Sequence, residues 1–196
     1  MKVELMSTML SDEEIAEFAC VSTGKKPKNT KRTIERLSKG SHGNIHWTPF
    51  GLAQISMKID DVPIYIARHI FRHNVGFVRV EKSRRYTKNE TKDCSPHFET
   101  LQSRLEDLQY ESKMLYKSAL DVGIKPENAR ACLLQSQVTS WIETGSLFAY
   151  ASMMKQRCQK DVQKETRQLV LMMWGQVKKI FPISCESLEK NYINLL

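Results

Sequence analysis

The chain has 196 residues, of which 41% are hydrophobic and 27% are charged, and its net charge is +8. This composition is typical of a globular protein with a sizeable core, and no apolar run is long enough to cross a bilayer. The first residues, MKVELMSTMLSDEE, lack the apolar stretch of a signal sequence, so we expect a cytoplasmic protein. The positive charge favours anionic partners, which include both nucleic acids and small phosphorylated molecules.

The first half of the chain predicts three helices, a loop and a strand. SDEEIAEFACVS carries a capping box, in which Ser11 precedes Glu14 by three residues, and it predicts a helix. NTKRTIERLSKG predicts a second helix that ends at Gly40, and the turn-rich SHGNIHWTPFG predicts a loop. LAQISMKID alternates with one change of phase, which predicts a strand with a bulge. Pro63 predicts the first turn of a helix that runs to about His73.

The second half predicts mainly helices. FVRV predicts a short strand, and a long helix is predicted from Phe98 to Val122, ending at Gly123. The apolar face predicted for this helix consists of Leu101, Leu105, Leu108, Ser112 and Leu115. PENARACLL predicts a helix and QVTSWIE a strand, and two more helices follow in SLFAYASMMKQR and DVQKETRQLVLMMWGQVKKIF. The stripe predicted for the last helix consists of Leu169, Met173, Val177 and Ile180, and Pro182 ends it.

Together these elements predict an α+β fold that is mostly helical, with a small antiparallel or mixed sheet. The sequence contains no repeat, low-complexity tract or obvious linker, so we expect residues 1–196 to form a single domain. The five cysteines are scattered and lack Cys-x-x-Cys spacing, so neither a disulfide framework nor a zinc knuckle is predicted.

The segment RHIFRHNVGFVRVEKSRRY, from Arg68 to Tyr86, concentrates six Arg and Lys residues and two His around one acid. On the predicted helix, Arg68 and Arg72 lie four residues apart, as do His69 and His73, and the four would form one polar edge. A cationic helix end that complements the helix dipole is the structural explanation for part of this pattern. The histidine spacing is also that of zinc helices, but the metalloprotease signature is missing, so we expect no metal site.

The end of this segment, EKSRRY at residues 81–86, predicts a compact anion site. Ser83 offers a hydroxyl, and Arg84 and Arg85 offer guanidinium groups, a combination that suits a phosphate monoester. If the backbone is extended, Ser83 and Arg85 share one face, and Arg84 lies on the other as a solvated charge. Nucleic-acid binding remains an alternative, but it is not favoured because a recognisable motif and a stacking pattern are lacking.

The chain resembles the flavin-dependent thymidylate synthases, whose signature runs Arg-His-Arg, then Ser, Asn-Glu, Ser and Arg-Tyr at short fixed spacings. Arg72-His73 matches the start of the signature, and Glu81, Ser83, Arg85 and Tyr86 match its end. The resemblance covers nearly the whole chain in the same order, through HWTPF, PIYIARHIFRH, GIKPENARACLLQS, MMKQR and VQKETR. Ordered matches of this kind are more specific than any one of the motifs alone.

The resemblance implies an FAD-dependent methyltransferase that methylates C5 of dUMP, with methylenetetrahydrofolate as carbon donor and NADPH as the source of reducing equivalents. It implies FAD contacts from Thr48, Arg72, His73, Asn74, Val75, Glu81, Ser146 and Ser152. It implies dUMP contacts from His69, Arg72, Glu81, Ser83, Arg84, Arg85, Arg130 and Arg157. Arg157 is the implied catalytic residue, which stabilises negative charge on the uracil. A homotetramer with active sites shared between chains is also implied, Arg72 and Ser83 of one site coming from different chains.

Several positions depart from the family pattern. Asn74 stands in place of the third signature residue, an arginine, and NVGFVRV is one residue longer than usual and lacks the first Ser and the Asn. The other replacements are Trp47 for Glu, His69 for Gln, Ser146 and Ser152 for two FAD-contacting asparagines, and Phe148 for an arginine. Arg79 or Lys82 could compensate for the lost arginine. These departures leave two alternatives open. One is an enzyme that modifies C5 of another pyrimidine nucleotide or acts by hydroxymethylation, and the other is a non-catalytic nucleotide-binding relative.

Overall fold

The computed structural model describes residues 1–41, 44–83, 85, 93 and 100–194. Strand β1 (Lys2–Thr8) is followed by helices α1 (Asp12–Cys20), α2 (Thr30–Lys39) and α3 (Thr48–Leu52), strand β2 (Gln54–Pro63), helix α4 (Ile64–Phe71) and strand β3 (Phe77–Glu81). The elements that follow are helices α5 (Gln102–Asp121) and α6 (Pro126–Ala129), strand β4 (Val138–Ser146), and helices α7 (Leu147–Arg157), α8 (Lys164–Ile180) and α9 (Pro182–Leu188). A 3-10 turn at Arg130–Cys132 follows α6, and a π-helical turn at Glu189–Ile193 follows α9.

The strands form a four-stranded antiparallel sheet in the order β1-β2-β4-β3. The predicted α+β fold, mostly helical with a small antiparallel sheet, is therefore confirmed. Within the described ranges, no helix is long and apolar enough to span a membrane.

Backbone contacts group the chain into two compact units. Unit 1 comprises residues 1–2, 59–71 and 80–141, and unit 2 comprises residues 3–58, 72–79 and 142–196. The predicted extent of the family-type domain, residues 1–196, stays a prediction.

Local sequence signals explain where several helices begin and end. Ser11 accepts a hydrogen bond from the backbone N–H of Glu14 at 3.3 Å, which confirms Ser11 as the N-cap of α1, one half of the predicted capping box. Gly40 follows the last residue of α2, as predicted, with φ of 61°. The predicted stripe of α8 is buried at Leu169, Met173 and Val177, whereas its last member, Ile180, is only half-buried.

Four features of the fold differ from the prediction or were not predicted. The second half of the predicted loop SHGNIHWTPFG contains helix α3, which begins at Thr48 and tolerates Pro49 because a proline in the first turn loses no hydrogen bond. Helix α4 ends at Phe71, so Arg72 and His73 follow it, and the predicted four-residue polar edge does not form on one helix. Strand β1 and helix α9 were not predicted.

The predicted apolar face of α5 was wrong at three of its five positions. Leu101, Leu108 and Leu115 are 52%, 49% and 59% exposed. Of the other two members, Leu105 is half-buried and Ser112 is buried, as are Gln109 and Tyr116. The buried face is polar because the segment that it packs against offers polar partners: Gln109 donates to the Ser136 hydroxyl, and the Ser112 hydroxyl donates to the Cys132 carbonyl. The exposed leucines recur every seven residues along the helix, and Val122, 76% exposed, continues the series.

Candidate functional site

The loop between α4 and β3, residues 72–76 of unit 2, lies against helix α7. The Ser146 N–H donates to the Gly76 carbonyl at 3.2 Å. Gly76 has φ of 79°, and a Cβ built on it would lie 2.8 Å from the Cβ of Ala149. Both the positive φ and this close approach require glycine at the position. The loop is therefore held closely against the first turn of α7.

The same loop brings two predicted residues together, His73 and Arg157. The Nε–H of Arg157 donates to Nε2 of His73 at 2.7 Å. An accepting Nε2 carries no proton, so the neutral ring has its proton on Nδ1. Burial, and next the positive charges of Arg157 and Arg79, lower the pKa of His73 to about 4. His73 is therefore a neutral acceptor for an arginine near pH 7.

Arg79 connects this loop to a buried carboxylate on strand β4. Its Nε–H donates to Oε2 of Glu143 at 2.7 Å, and its Nη1–H donates to the backbone carbonyl of His73. The Arg79 side chain is 11% exposed and that of Glu143 is 0% exposed. Burial, together with the neighbouring Glu143 carboxylate, raises the pKa of Tyr150. Arg79 is thus engaged inside unit 2, a role that the sequence did not predict.

An aromatic row, consisting of Trp47, Phe148 and Tyr192, occupies another part of unit 2. The ring centroids of Trp47 and Phe148 are 5.8 Å apart, and those of Phe148 and Tyr192 are 5.6 Å apart. Lys155 places its Nζ 4.2 Å from the Tyr192 centroid, in cation–π geometry. The sequence prediction missed Tyr192, which lies in the π-helical turn, a type of irregularity frequent at functional sites.

The hydroxyls of the two serines predicted to contact FAD are engaged within unit 2. Ser146 Oγ accepts from the backbone N–H of Ala149 at 3.1 Å and caps α7. Ser152 Oγ lies 3.1 Å from the Tyr192 hydroxyl. Four other residues predicted to contact FAD are exposed: Thr48 at the start of α3, and Arg72, Asn74 and Val75 in the loop. Val75 is 92% exposed.

In unit 1, several predicted phosphate-binding residues converge on Glu127, a residue that the sequence prediction missed. Arg85 Nη2 lies 2.9 Å from Glu127 Oε2. Arg130 Nε donates to the Glu127 backbone carbonyl at 3.1 Å, and the Arg85 N–H donates to Ser83 Oγ at 3.2 Å. We call these four residues the basic cluster. The sequence signal that could have identified Glu127 is its position in PENAR, where it is an acid three residues before Arg130.

Two further predicted residues lie in unit 1. Glu81 ends strand β3, and its Oε1 accepts from the Thr139 hydroxyl at 2.7 Å. His69 lies half-buried near the end of α4. Arg84 and Tyr86 fall outside the described residues. In the described part of the chain, no three His, Cys, Asp or Glu residues group closely enough to hold a metal ion.

The two units thus divide the predicted residues. Unit 1 carries His69, Glu81, Ser83, Arg85 and Arg130. Unit 2 carries Thr48, Arg72, His73, Asn74, Val75, Ser146, Ser152 and Arg157. Of the residues predicted to contact FAD, Glu81 is the one in unit 1. The other predicted residues of unit 1, which are His69, Ser83, Arg85 and Arg130, were predicted to contact dUMP.

The chain is an α+β protein with a basic cluster in unit 1 and a buried Arg79–Glu143 pair in unit 2, and comparison with known proteins identifies its family. Residues 4–183 match the profile of the family described as "Thymidylate synthase complementing protein". The chain belongs to this family, as the resemblance predicted.

Curated relatives carry the name "Flavin-dependent thymidylate synthase". One from Synechocystis sp. is 27% identical over 169 residues, which cover 74% of this chain and 75% of the relative. One from Thermosipho africanus is 27% identical in an alignment 212 residues long, which covers 96% of this chain and 90% of the relative. Among solved structures, the UMP/dUMP methylase PolB from Streptomyces cacaoi, bound with 5-Br dUMP, has a TM-score of 0.84 and 20% identity over 98% of this chain and 96% of that one. At this identity, the structural likeness shows a shared fold.

Proposed function

We propose that the protein is a flavin-dependent thymidylate synthase that converts dUMP to dTMP, with methylenetetrahydrofolate as carbon donor and NADPH as reductant. Family membership over residues 4–183 is the observation that carries the proposal. The named activities of the relatives and the composition of the basic cluster support it. As a cytoplasmic enzyme of nucleotide synthesis it acts on a small molecule and needs neither a nucleic acid nor a membrane.

The basic cluster is the proposed site for the dUMP phosphate. Arg85 supplies a guanidinium fork, and Ser83 and Arg130 add a hydroxyl and a second guanidinium. A phosphate dianion can replace the Glu127 carboxylate on Arg85, since both are anions with oxygen acceptors and the existing ion pair is partly exposed. Glu81, engaged with Thr139, is proposed to face the polar edge of the nucleoside.

Unit 2 is the proposed site for FAD, and the residues present fit this group. The aromatic row offers apolar ring faces that an isoalloxazine or adenine ring can contact, and Trp47 at its end is 55% exposed. Arg72 is exposed and its guanidinium suits a phosphate; Asn74 and Val75, which follow it closely in sequence, and Thr48 on α3 are exposed as well. Bound and reduced, FAD supplies the hydride for the reaction. Contact with the aromatic row adds to the FAD contacts predicted from Ser146 and Ser152.

Arg157 is the proposed catalytic residue. C5 of the pyrimidine can attack the one-carbon unit only when the ring carries extra negative charge, which it shares with its carbonyl oxygens, and the new bond then draws that electron density out through C5. A guanidinium beside the ring stabilises that charge and stays protonated throughout, so it acts as a fixed field and does not transfer a proton.

A homotetramer with shared active sites is the proposed assembly. The exposed leucines of α5 support it, because a series of large apolar side chains at seven-residue spacing is the pattern of a helix that packs against another helix. In the proposed assembly, Arg72 and Ser83 of one active site come from different chains.

An alternative is a relative that modifies C5 of another pyrimidine nucleotide, or that hydroxymethylates C5. The replacements at Trp47 and Phe148 favour keeping this alternative, because they put aromatic rings at positions where the family carries charged residues. A non-catalytic nucleotide-binding relative is the second alternative.

The deciding experiment has two parts. The purified protein is first examined for a flavin absorbance band, before and after incubation with FAD; absence of the band in both would overturn the enzyme proposal. It is then incubated with methylenetetrahydrofolate, NADPH and either dUMP or UMP, and the nucleotide product is identified by mass. Formation of dTMP supports the proposal, while a different product or preference for UMP supports the first alternative.

A further inference from the structure

We propose that Glu143, Arg79 and His73 form a positioning set that fixes the guanidinium of Arg157, each residue holding the next. The inference adds three positioning residues to the proposed reaction. Only its last step, the action of Arg157 on the pyrimidine, rests on the proposed function.

The set begins with a carboxylate on the buried side of strand β4. Burial alternates along this strand, so that Thr139, Trp141, Glu143 and Gly145 face inwards. Glu143 is therefore at a position that an apolar residue would normally occupy, and its side chain is 0% exposed. Burying an ion pair costs desolvation free energy, and an apolar pair of similar size is often at least as stable. A buried Glu143–Arg79 pair is thus better explained by a positional role than by stability.

Strand β3 points to the same conclusion. Val78 and Val80 are 73% and 72% exposed, whereas Arg79 between them turns inwards with 11% of its side chain exposed. This arrangement reverses the usual distribution, in which the charged residue faces water and the valines face the core. The inward orientation lets Arg79 bind Glu143 through Nε and the backbone carbonyl of His73 through Nη1 at the same time.

This double contact fixes the loop at His73. Arginine can make it because its planar fork carries several donors in a fixed geometry, whereas lysine has only a single nitrogen. With its backbone held by Arg79, His73 directs Nε2 to the Nε–H of Arg157 at 2.7 Å. That hydrogen bond fixes the direction of the Arg157 Nε–H and so restricts the orientation of the guanidinium.

Burial is the main cause that lowers the pKa of His73, and among the described residues the charges of Arg157 and Arg79 face the imidazole and add to this effect. A protonated ring would lose the acceptor on Nε2 and would repel both guanidinium groups. The positioning set therefore requires neutral His73 with its proton on Nδ1, a state that can be observed without any substrate or cofactor.

The first test is nitrogen NMR of isotope-labelled histidine in the full-length protein, with the His73 signal assigned by its loss in His73→Gln. The expected result is a proton on Nδ1 and titration well below that of an ordinary histidine. Wild-type protein with the proton on Nε2, or with ordinary titration of His73, would overturn the proposal. This readout does not depend on the activity of the protein.

The second test uses the double variant Arg79→Met/Glu143→Gln, which removes both charges and keeps the side-chain sizes similar. The His73 titration is expected to move towards its usual value, because one of the two facing cations is gone. Turnover of dUMP is expected to fall about 10- to 100-fold, the effect of a misplaced catalytic group. The KM for dUMP should change by less than about threefold, since the phosphate contacts lie elsewhere. Unchanged titration and turnover in a folded double variant would overturn the proposal.

Asp12→Asn is the matched control. Asp12 is also buried, but its carboxylate accepts from Ile183 and Ser184 at the start of α9. Its loss should lower the stability of the protein without changing the His73 titration or the ratio of kcat to KM. If Asp12→Asn shifted the His73 titration as much as the double variant does, the shift would come from a general loss of stability. That result would contradict the proposal.

A third comparison remains informative if the double variant fails to fold. His73→Gln keeps an oxygen that can accept from Arg157, whereas His73→Leu keeps the bulk and removes the acceptor. Turnover should fall further in His73→Leu than in His73→Gln, and equal losses would contradict the acceptor role. If wild-type protein binds FAD but does not methylate dUMP, the proposed function fails, while the NMR tests of the positioning set still give a result.

Discussion

The guanidinium of Arg85 forms an ion pair with the carboxylate of Glu127, with Nη2 and Oε2 separated by 2.9 Å. The two side chains are 51% and 38% exposed, so water screens the pair and it contributes little to stability. Its significance lies in geometry, because a carboxylate already occupies the place on Arg85 where the proposed phosphate would bind.

The first prediction concerns Arg85. Arg85→Ala should raise the dissociation constant for dUMP roughly tenfold or more, because a charge-assisted hydrogen bond contributes about 1.5–3 kcal/mol. Titration calorimetry with dUMP measures the effect, and deoxyuridine, which lacks the phosphate, serves as the control ligand. Wild-type protein that binds deoxyuridine as tightly as dUMP would show that the phosphate assignment is wrong.

The companion variant for this prediction is Glu127→Gln. It removes the carboxylate that competes for Arg85 but leaves the backbone carbonyl that binds Arg130. Binding of dUMP should become tighter, most visibly at low salt, where the competing charge is least screened. Weaker binding in Glu127→Gln would instead mean that Glu127 orients Arg85 for the ligand.

The second prediction concerns the exposed stripe of α5. Replacing both Leu108 and Leu115 with Glu should reduce the assembly size, because charged residues in a helix–helix contact carry an uncompensated desolvation cost. Light scattering at micromolar concentration measures the mass. Leu171→Glu, at a 47% exposed position on α8, is the matched control and should leave the mass unchanged. A wild-type protein that is already a stable monomer would contradict both the tetramer and the shared active site.

The α5 stripe also illustrates what the sequence could predict and what it could not. The helical spacing of the apolar residues and the stop signal at Gly123 predicted the position of the helix, which ends before Gly123 as predicted. The same apolar period predicted the wrong buried face, since an apolar stripe looks alike whether it packs inside one chain or awaits another. The N-cap at Ser11 and the α8 stripe from Leu169 to Val177 depend on neighbours in sequence, and both were predicted correctly.

The candidate site shows a similar division. Ser83, Arg85 and Arg130 were predicted from motif positions; in the structure Arg85 and Arg130 both bind Glu127, and Ser83 binds the backbone N–H of Arg85. The link between Arg79 and Glu143 could not be predicted, because it joins residues 64 positions apart on strands β3 and β4 and contradicts the usual burial of charge. Long-range pairing of this kind is set by sheet order, which the local pattern does not encode.

The third prediction is a pH dependence of stability. The pKa of His73 is about 4 in the folded protein against 6.5 for the ordinary group, so the unfolded chain takes up a proton between these values and the folded chain does not. The His73 contribution is therefore fully present above about pH 6.5 and is lost as the pH falls towards 4. Denaturant unfolding at several pH values in this window should show a smaller loss of stability in His73→Gln than in wild type.

Asp12 provides a control of opposite sign for that measurement. Burial is the main cause that raises the pKa of its carboxyl, so the folded chain takes up a proton before the unfolded chain does. Protonation of Asp12 therefore adds to the free energy of unfolding as the pH falls. Asp12→Asn should steepen the loss of stability in acid, whereas His73→Gln should reduce that loss. Identical pH profiles in wild type and His73→Gln would contradict the assigned state of His73.

The fourth prediction concerns Trp47 and FAD. Trp47→Leu should weaken FAD binding and increase the fluorescence of the flavin that remains bound, since an adjacent indole ring contributes stacking and quenches a flavin. Fluorescence titration of the apoprotein with FAD gives both quantities. Phe18→Leu, at a 44% exposed aromatic position on α1, is the control and should match wild type. Equal FAD affinity and fluorescence in Trp47→Leu and wild type would remove the aromatic row from the cofactor site.

The fifth prediction concerns Arg157, on which the proposed chemistry depends. Arg157→Ala should lower turnover by about 10²–10³, the loss typical of removing one preorganised electrostatic donor. Arg157→Lys keeps the charge but loses the planar fork and the Nε–H that His73 accepts, so it should bind dUMP measurably and turn over slowly. Flavin content should stay close to wild type in both variants, because the residue is assigned to the nucleotide. The measurement is single-turnover oxidation of the reduced flavin with dUMP and methylenetetrahydrofolate present. An alanine variant that turns over at the wild-type rate would refute the catalytic assignment, and loss of flavin from both variants would assign Arg157 to the cofactor instead.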